Sequence, residues 1–325
     1  MAWLVSGNTW HQKEYRKGLQ TLSPNVAGQV QYQVMSRPGA NGFAGVANKV
    51  LIPLDHLLDY LAILYDQNLE YRTINVHRSA ISAYHDPIEG ESVGKHPRVC
   101  ALMKGIFNTR NPKPKYSFIW DVNKVLEYLR TLGIDLSDKL LTEKLAMLLA
   151  LSVASRGHEL QHLDIGYMTK SNNSITFEFA KLTKSWRNGK PPPAISFKNF
   201  DKDPLLCPVK TLELYLEKTK PWREGNKFQL FLGITKPHGE VKACTIARWL
   251  KSIFRNTGID TSIFQAHSTR GASSSKVSAN LPLSGLSVKD ILKRGNWLNY
   301  STWQTFYNRS IVGDSVSYED LVLDG

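Results

Sequence analysis

Cysteine is scarce in this chain: Cys100, Cys207 and Cys244 are odd in number, far apart and form no CxxC pair. A disulfide framework and a cysteine-based zinc site are thereby excluded, and three reduced, mostly buried thiols are expected. Long apolar runs are missing as well. No stretch reaches the roughly 18 apolar residues that a membrane-crossing helix needs. Met1 to Gly7 lack the basic flank and long apolar core of a signal peptide, so the expectation is a soluble, intracellular chain. Gly39, Gly42 and Gly45 are scattered through a polar, small-residue stretch and make no GxGxxG after a strand, which gives no phosphate cradle. Acidic residues are the remaining shortage: 28 Asp and Glu stand against 41 Lys and Arg, a formal net charge of +13. An excess of that size favours a polyanionic partner, nucleic acid before a membrane surface.

What is present is enough apolar material for a core. With 42% apolar and 10% aromatic residues in 325, the chain can form about two domains. Arg110-Asn111-Pro112-Lys113-Pro114-Lys115 cannot continue a helix, because its prolines lack amide donors and restrict their predecessors. Residues 110–119 are therefore taken as a basic linker between a helical domain at 1–109 and a larger one at 120–312. Residues 313–325 form a tail with four acidic residues and no basic one. Apolar spacing predicts helices over Leu54–Tyr65, Thr73–Tyr84 and His96–Phe107 in the first domain. In the second it predicts helices over Asp121–Leu132, Leu141–Ser155, Val209–Lys218, Thr245–Arg255, Ser268–Ala279, Val288–Lys293 and Ser301–Ser310. Ile175–Ala180 and Ala194–Phe197 read as a hairpin with a polar turn at Lys184–Lys190. The fold class is mainly α with a small β-sheet.

His158-Glu159-Leu160-Gln161-His162 matches HExxH, in which two histidines one turn apart bind zinc and the glutamate acts as base. Such a site needs a persisting helix and a third ligand, but Asp164-Ile165-Gly166 closes the helix. Zinc proteolysis is a remote reading, and no metal or cofactor is expected. A better account starts at Arg156, where Arg156, Glu159 and Leu160 make an RxxEL pattern. Read with Ala266-His267-Ser268-Thr269-Arg270-Gly271, Gly295-Asn296-Trp297 and Phe306-Tyr307, it resembles the ordered signature of tyrosine recombinases and phage integrases. Each piece alone is ordinary; their order and spacing together are not.

The chemistry explains the grouping. Attack on a DNA phosphodiester builds negative charge on non-bridging oxygens, which fixed guanidinium groups stabilise. Arg156 and Arg270 fit that role, His267 three positions before Arg270 is its helical neighbour, and Trp297 offers an indole N–H. The resemblance implies that Tyr307 is the nucleophile of a 3′-phosphotyrosyl intermediate and leaves a free 5′-hydroxyl. It also implies a hairpin lysine as general acid, for which Lys184 fits best and Lys181 and Lys190 are rivals. Tyr307 follows Trp297 by ten positions, one more than is usual in the family, and Tyr300 is the competing hydroxyl.

Longer strings narrow the resemblance. Glu70-Tyr71-Arg72-Thr73-Ile74-Asn75, His77 to His85, Val93 to Pro97 and Met103 to Asn108 are similar to the recombinases of DIRS-type retrotransposons. The tyrosine recombinase catalytic fold, preceded by a helical core-binding domain that clamps double-stranded DNA, is what the resemblance implies. Arg72, Arg78, Lys104, Arg110, Lys113 and Lys115 become candidate phosphate contacts. A tetramer across two DNA sites is expected, with the acidic tail packed on a neighbouring subunit or disordered. A nuclear location follows from a DNA substrate. Two alternatives stay open: type IB topoisomerase-like relaxation, and a catalytically silent DNA-binding remnant.

Overall fold

Apolar residues recurring every three or four positions from Leu54 onward produce three helices: α1 (Leu54–Asp66), α2 (Tyr71–Tyr84) and α3 (Pro97–Thr109). They belong to the first of two units into which the chain divides, Met1–Lys113 and Pro114–Gly325. The computed structural model describes residues 52–112, 116–179, 194–223 and 228–312. The first unit's core joins Leu57, Leu61 and Leu64 of α1 to Ile74 and Ile81 of α2 and to Val99, Met103 and Ile106 of α3. A buried polar pair is satisfied inside it, with the Tyr60 hydroxyl 2.8 Å from His77 Nδ1. Helix α3 opens as its sequence dictates. Pro97 occupies the first turn, where a missing N–H costs nothing, and His96 Nδ1 accepts from the Arg98 amide at 3.3 Å.

The second unit is built around α5 (Asp138–Ser152), in which every residue from Leu141 to Ala150 is buried. Ser137 caps its start. Around it pack α4 (Val122–Thr131), α6 (Gly157–Gln161), α7 (Pro208–Lys218), α8 (Ala243–Asn256) and α9 (Ser268–Ala279). Three short helices follow: α10 (Leu281–Ser284), α11 (Val288–Arg294) and α12 (Tyr300–Phe306). An antiparallel sheet of β2 (Met168–Ser171), β3 (Ser174–Glu178) and β4 (Ala194–Lys198) lies on one side of the unit, with Phe177 opposite Met168 and Ile195. Alternation sends Ile175, Phe177 and Phe197 into the core. Two more strands, β1 (Phe118–Ile119) and β5 (Ser310–Ile311), pair in parallel and tie the end of the described chain to the start of this unit.

The expected class, mainly helical with small sheets, is what forms. Several details differ. Strand β2 has no counterpart in the sequence reading, because its pattern, half-buried Met168 and then exposed Thr169 to Ser171, carries no apolar alternation. The cysteines are mostly exposed rather than buried: Cys207 is inside, whereas Cys100 and Cys244 lie on the outer sides of α3 and α8. Among the described residues no helix is long and apolar enough to cross a membrane.

Candidate active site

Helix α5 ends at Ser152, three residues short of the expected limit. Arg156 is the N-cap of α6. Its amide donates to Glu159 Oε2 at 2.8 Å and its Nη1 donates to Glu159 Oε1 at 2.6 Å, so one buried carboxylate both caps the helix and orients the guanidinium. In the connecting turn Ala154 takes a left-handed backbone (φ 46°), which is rare for a residue with a Cβ. That turn matters because the Ala154 carbonyl accepts from Arg270 Nη1 at 2.6 Å.

Arg270 lies in the first turn of α9, and His267 is the residue that starts that helix. The Arg270 side chain is completely buried. Its Nη2 donates to the Gly295 carbonyl. The guanidinium carbon stands 3.9 Å above the Trp297 ring and 5.2 Å from the Tyr307 ring centre. Burial pushes this guanidinium down to about 10, and repulsion from Arg156 adds to the shift, while Glu159 and Tyr307 oppose it. It remains charged at neutral pH. Gly295 is required by the same packing: a Cβ there would sit 1.8 Å from a Trp297 ring carbon. Asn296, in the left-handed region at φ 54°, turns the chain so that Trp297 folds back over α11. Trp297 Nε1 and Arg270 Nε are buried donors with no acceptor among the described residues.

Tyr307 is not inside a helix, as a segment over Ser301–Ser310 would have it; α12 ends at Phe306 and Tyr307 follows as its C-cap. The hydroxyl is 3.2 Å from His267 Nε2, the two rings meet edge to face, and the Trp297 ring lies 5.0 Å away, centre to centre. Tyr300, the competing hydroxyl, opens α12, and its exposed ring rests on Trp303 at 5.8 Å. Arg156, His267, Arg270, Trp297 and Tyr307 therefore come together from three separate stretches of chain.

Lys184, with its rivals Lys181 and Lys190, lies outside the described residues, as do Lys113 and Lys115. The strands flanking Lys184, β3 and β4, do pair as the expected hairpin. Of the candidate phosphate contacts in the first unit, Arg72 and Lys104 are exposed and Arg78 is half-buried. Arg110 makes contacts within its own unit. Its Nη1 donates to the carbonyls of Tyr65 and Leu69 at 3.0 and 3.1 Å and its guanidinium covers the Tyr65 ring, which ties it to the loop after α1. In the HExxH string the glutamate is engaged by Arg156, and His158 and His162 share a hydrogen bond of 2.9 Å between their Nε2 atoms.

Ser275 is not among the sequence candidates, and Gly271 and Ser268 stand in the Ala266–Gly271 string without a role. Ser275 donates to the Tyr307 carbonyl at 2.9 Å and accepts from the Arg309 amide at 3.0 Å. Gly271 lets the Tyr307 backbone approach, since a Cβ there would lie 3.4 Å from the Tyr307 carbonyl oxygen. Ser268 accepts from Trp120 Nε1 at 2.8 Å and fixes the start of α9. The one sequence signal was the run of small residues from Gly271 to Ser275, which marks a helix face that another backbone approaches closely.

The fold has counterparts among solved structures. The Tn1549 transposon integrase in complex with transposon right end DNA superposes with a TM-score of 0.54 at 13% identity, over 97% of this chain and 98% of that one. The XerH site-specific recombinase bound to difH substrate gives 0.51 at 14% identity, over 88% of this chain and 76% of that one. The fold is that of the tyrosine recombinases. No protein-family model and no curated protein matches the sequence.

Proposed function

We propose that this protein is a site-specific DNA strand transferase that cuts and rejoins double-stranded DNA through Tyr307. One observation carries the reading: the Tyr307 hydroxyl lies 3.2 Å from His267 Nε2, in a site that also holds Arg156 and Arg270. With the imidazole protonated at Nδ1, Nε2 is positioned to take the phenolic proton as the tyrosine oxygen bonds to phosphorus and the bond to the 5′-oxygen breaks. Arg156, a quarter exposed, faces the developing phosphorane charge, while Arg270 adds its field from beneath in a low-dielectric setting. Trp297 Nε1 is a further donor suited to a non-bridging oxygen. Lys184 is proposed to deliver the proton that the departing 5′-oxygen needs, leaving a 3′-phosphotyrosyl link and a 5′-hydroxyl. Reversal rejoins the strand, because the ester energy is kept in the protein–DNA bond.

On the same reading, residues 1–109 form a core-binding domain, 110–119 a basic linker, 120–312 the catalytic domain and 313–325 a tail. The resemblance of the strings between Glu70 and Asn108 supports a DIRS-type mobile element as the source, and a DNA substrate supports action in the nucleus. The net charge of +13, with exposed Arg72 and Lys104, supports duplex DNA as partner, and a tetramer on two DNA sites is the assembly that strand exchange requires. The test uses a library of nicked duplexes with randomised cores in the presence of a chelator. A covalent protein–DNA adduct is expected from the wild type and from Tyr300→Phe, and none from Tyr307→Phe. An adduct that survives Tyr307→Phe would overturn the assignment.

A further inference from the structure

We infer that Ser275 is a positioning residue for Tyr307, holding the nucleophile's backbone while His267 holds its hydroxyl. The inference rests on the cleavage reading above and deepens it.

Residues four apart on a helix share a face. In α9 the stripe His267, Gly271, Ser275 runs along Tyr307 from its tip to its main chain. His267 Nε2 meets the hydroxyl at 3.2 Å. Gly271, one turn on, brings α9 within van der Waals reach of the Tyr307 carbonyl and Cα. Ser275, a further turn on and 2% exposed, donates to the Tyr307 carbonyl at 2.9 Å and accepts from the Arg309 amide at 3.0 Å. One hydroxyl thus uses its donor and an acceptor lone pair to bracket Asn308.

The need for this clamp comes from where Tyr307 sits. The last carbonyls of a helix have no partner inside it, and Tyr307, beyond the end of α12 with φ −125° and ψ −29°, has left the helical path. Ser275 gives its carbonyl a partner and so fixes the direction in which the ring leaves the backbone. Immediately beyond, β5 pairs with β1, and the Val312 amide donates to the Ile119 carbonyl at 2.8 Å. The nucleophile is therefore held on both sides: by α12 before it and by Ser275 and the strand pair after it. A misplacement of about 1 Å at a reacting group costs on the order of 100-fold in rate. Ser275 has no bond to His267, Arg270 or Trp297 among its hydrogen bonds, so its effect runs through Tyr307.

The experiment compares the full-length wild type with Ser275→Ala in two measurements. Hydrogen exchange of the segment 307–312 reads the clamp itself and needs no catalysis; the Arg309 amide is expected to exchange at least about tenfold faster in the variant, having lost a buried acceptor. Single-turnover adduct formation on saturating nicked duplex is expected to fall between about 10- and 100-fold, with the half-saturating DNA concentration within about twofold of wild type. Unchanged exchange at Arg309 would overturn the proposal, as would a wild-type adduct rate, or a loss of DNA affinity as large as the loss of rate. A wild type that forms no adduct would instead remove the cleavage reading, and the positioning role with it, while the exchange data would still show whether the clamp exists.

Discussion

Arg270 is a charged group removed from water. Its guanidinium is fully buried, no carboxylate among the described residues pairs with it directly, and two main-chain carbonyls and the Trp297 face take the place of water. Burial accordingly lowers its affinity for the proton to about 10, with Arg156 contributing. For a base, a folded-state value below the unfolded one means that the charge opposes folding. That cost is present below about 10 and is relieved as the pH rises towards the unfolded value. A fold that carries such a charge needs the arginine in particular, since the guanidinium keeps its proton where an ammonium would not and reaches two acceptors at once. Arg270→Lys is therefore expected to lower adduct formation by at least about 100-fold at pH 7, and the deficit relative to wild type should widen towards pH 9 as the buried amine loses its charge. Rates measured from pH 6 to pH 9 for both proteins check this; a variant-to-wild-type ratio that stays constant across that range would show that Arg270 matters for shape and not for charge.

Helix α5 shows how far pattern reading goes at the level of an element. Its apolar circumference marks a central helix, and it is one, but Glu143 and Lys144 are also buried in it. Adjacent residues on a helix point apart, so the two cannot neutralise each other. Lys144 instead donates to the Gly133 carbonyl at 3.1 Å, and Glu143 Oε2 is a buried oxygen with no partner among the described residues. Desolvation raises the Glu143 carboxyl above the usual carboxylate range, opposed by a bond to Ser252 and by Lys139 and Arg255. A raised acid binds its proton more tightly when folded, so its ionisation costs stability at pH values above the unfolded value and costs nothing below it. Glu143→Gln is expected to raise stability by about 1 kcal/mol at pH 7.5 and to leave it unchanged at pH 4, which denaturant melts at the two pH values would measure. Periodicity also recovered α1 to α3, α7 and α8, whose apolar stripes are long. It did not recover β1 and β5, which are two residues each and exist only because chain ends far apart in sequence meet. The limit of α12 was misplaced for a related reason: the residues after Phe306 leave the helix because α9 and β1 offer their main chain other partners.

At the scale of the molecule, the site is a junction of three stretches, 154–159, 267–275 and 295–311. Its catalytic candidates were legible because each stretch carries one or two residues of unusual chemistry in a fixed order. The residues that hold them were not. Ser275 and Gly271 are small and common, and their importance lies in what approaches them from another stretch, whereas Gly295 is set by Trp297 two positions on. The same convergence has a consequence for assembly. Ala154, Ile291, Trp297 and Trp303 form one apolar cluster on which Tyr307 packs, and β5 returns to β1 of the same chain. In this packing Tyr307 lies beside Arg270 of its own chain, and the expectation is that it reacts there and not at a neighbour's arginines. Mixing Arg156→Ala with Tyr307→Phe separates the two possibilities. If the nucleophile serves its own chain, every site in the mixture lacks either the arginine or the hydroxyl, and the adduct yield should not exceed that of the better variant alone. Exchange of the tyrosine between protomers would assemble complete sites in mixed complexes. Recovery of adduct on mixing, at concentrations where two chains share one duplex, would therefore show that the β1–β5 pairing opens on DNA and releases Tyr307 to its neighbour.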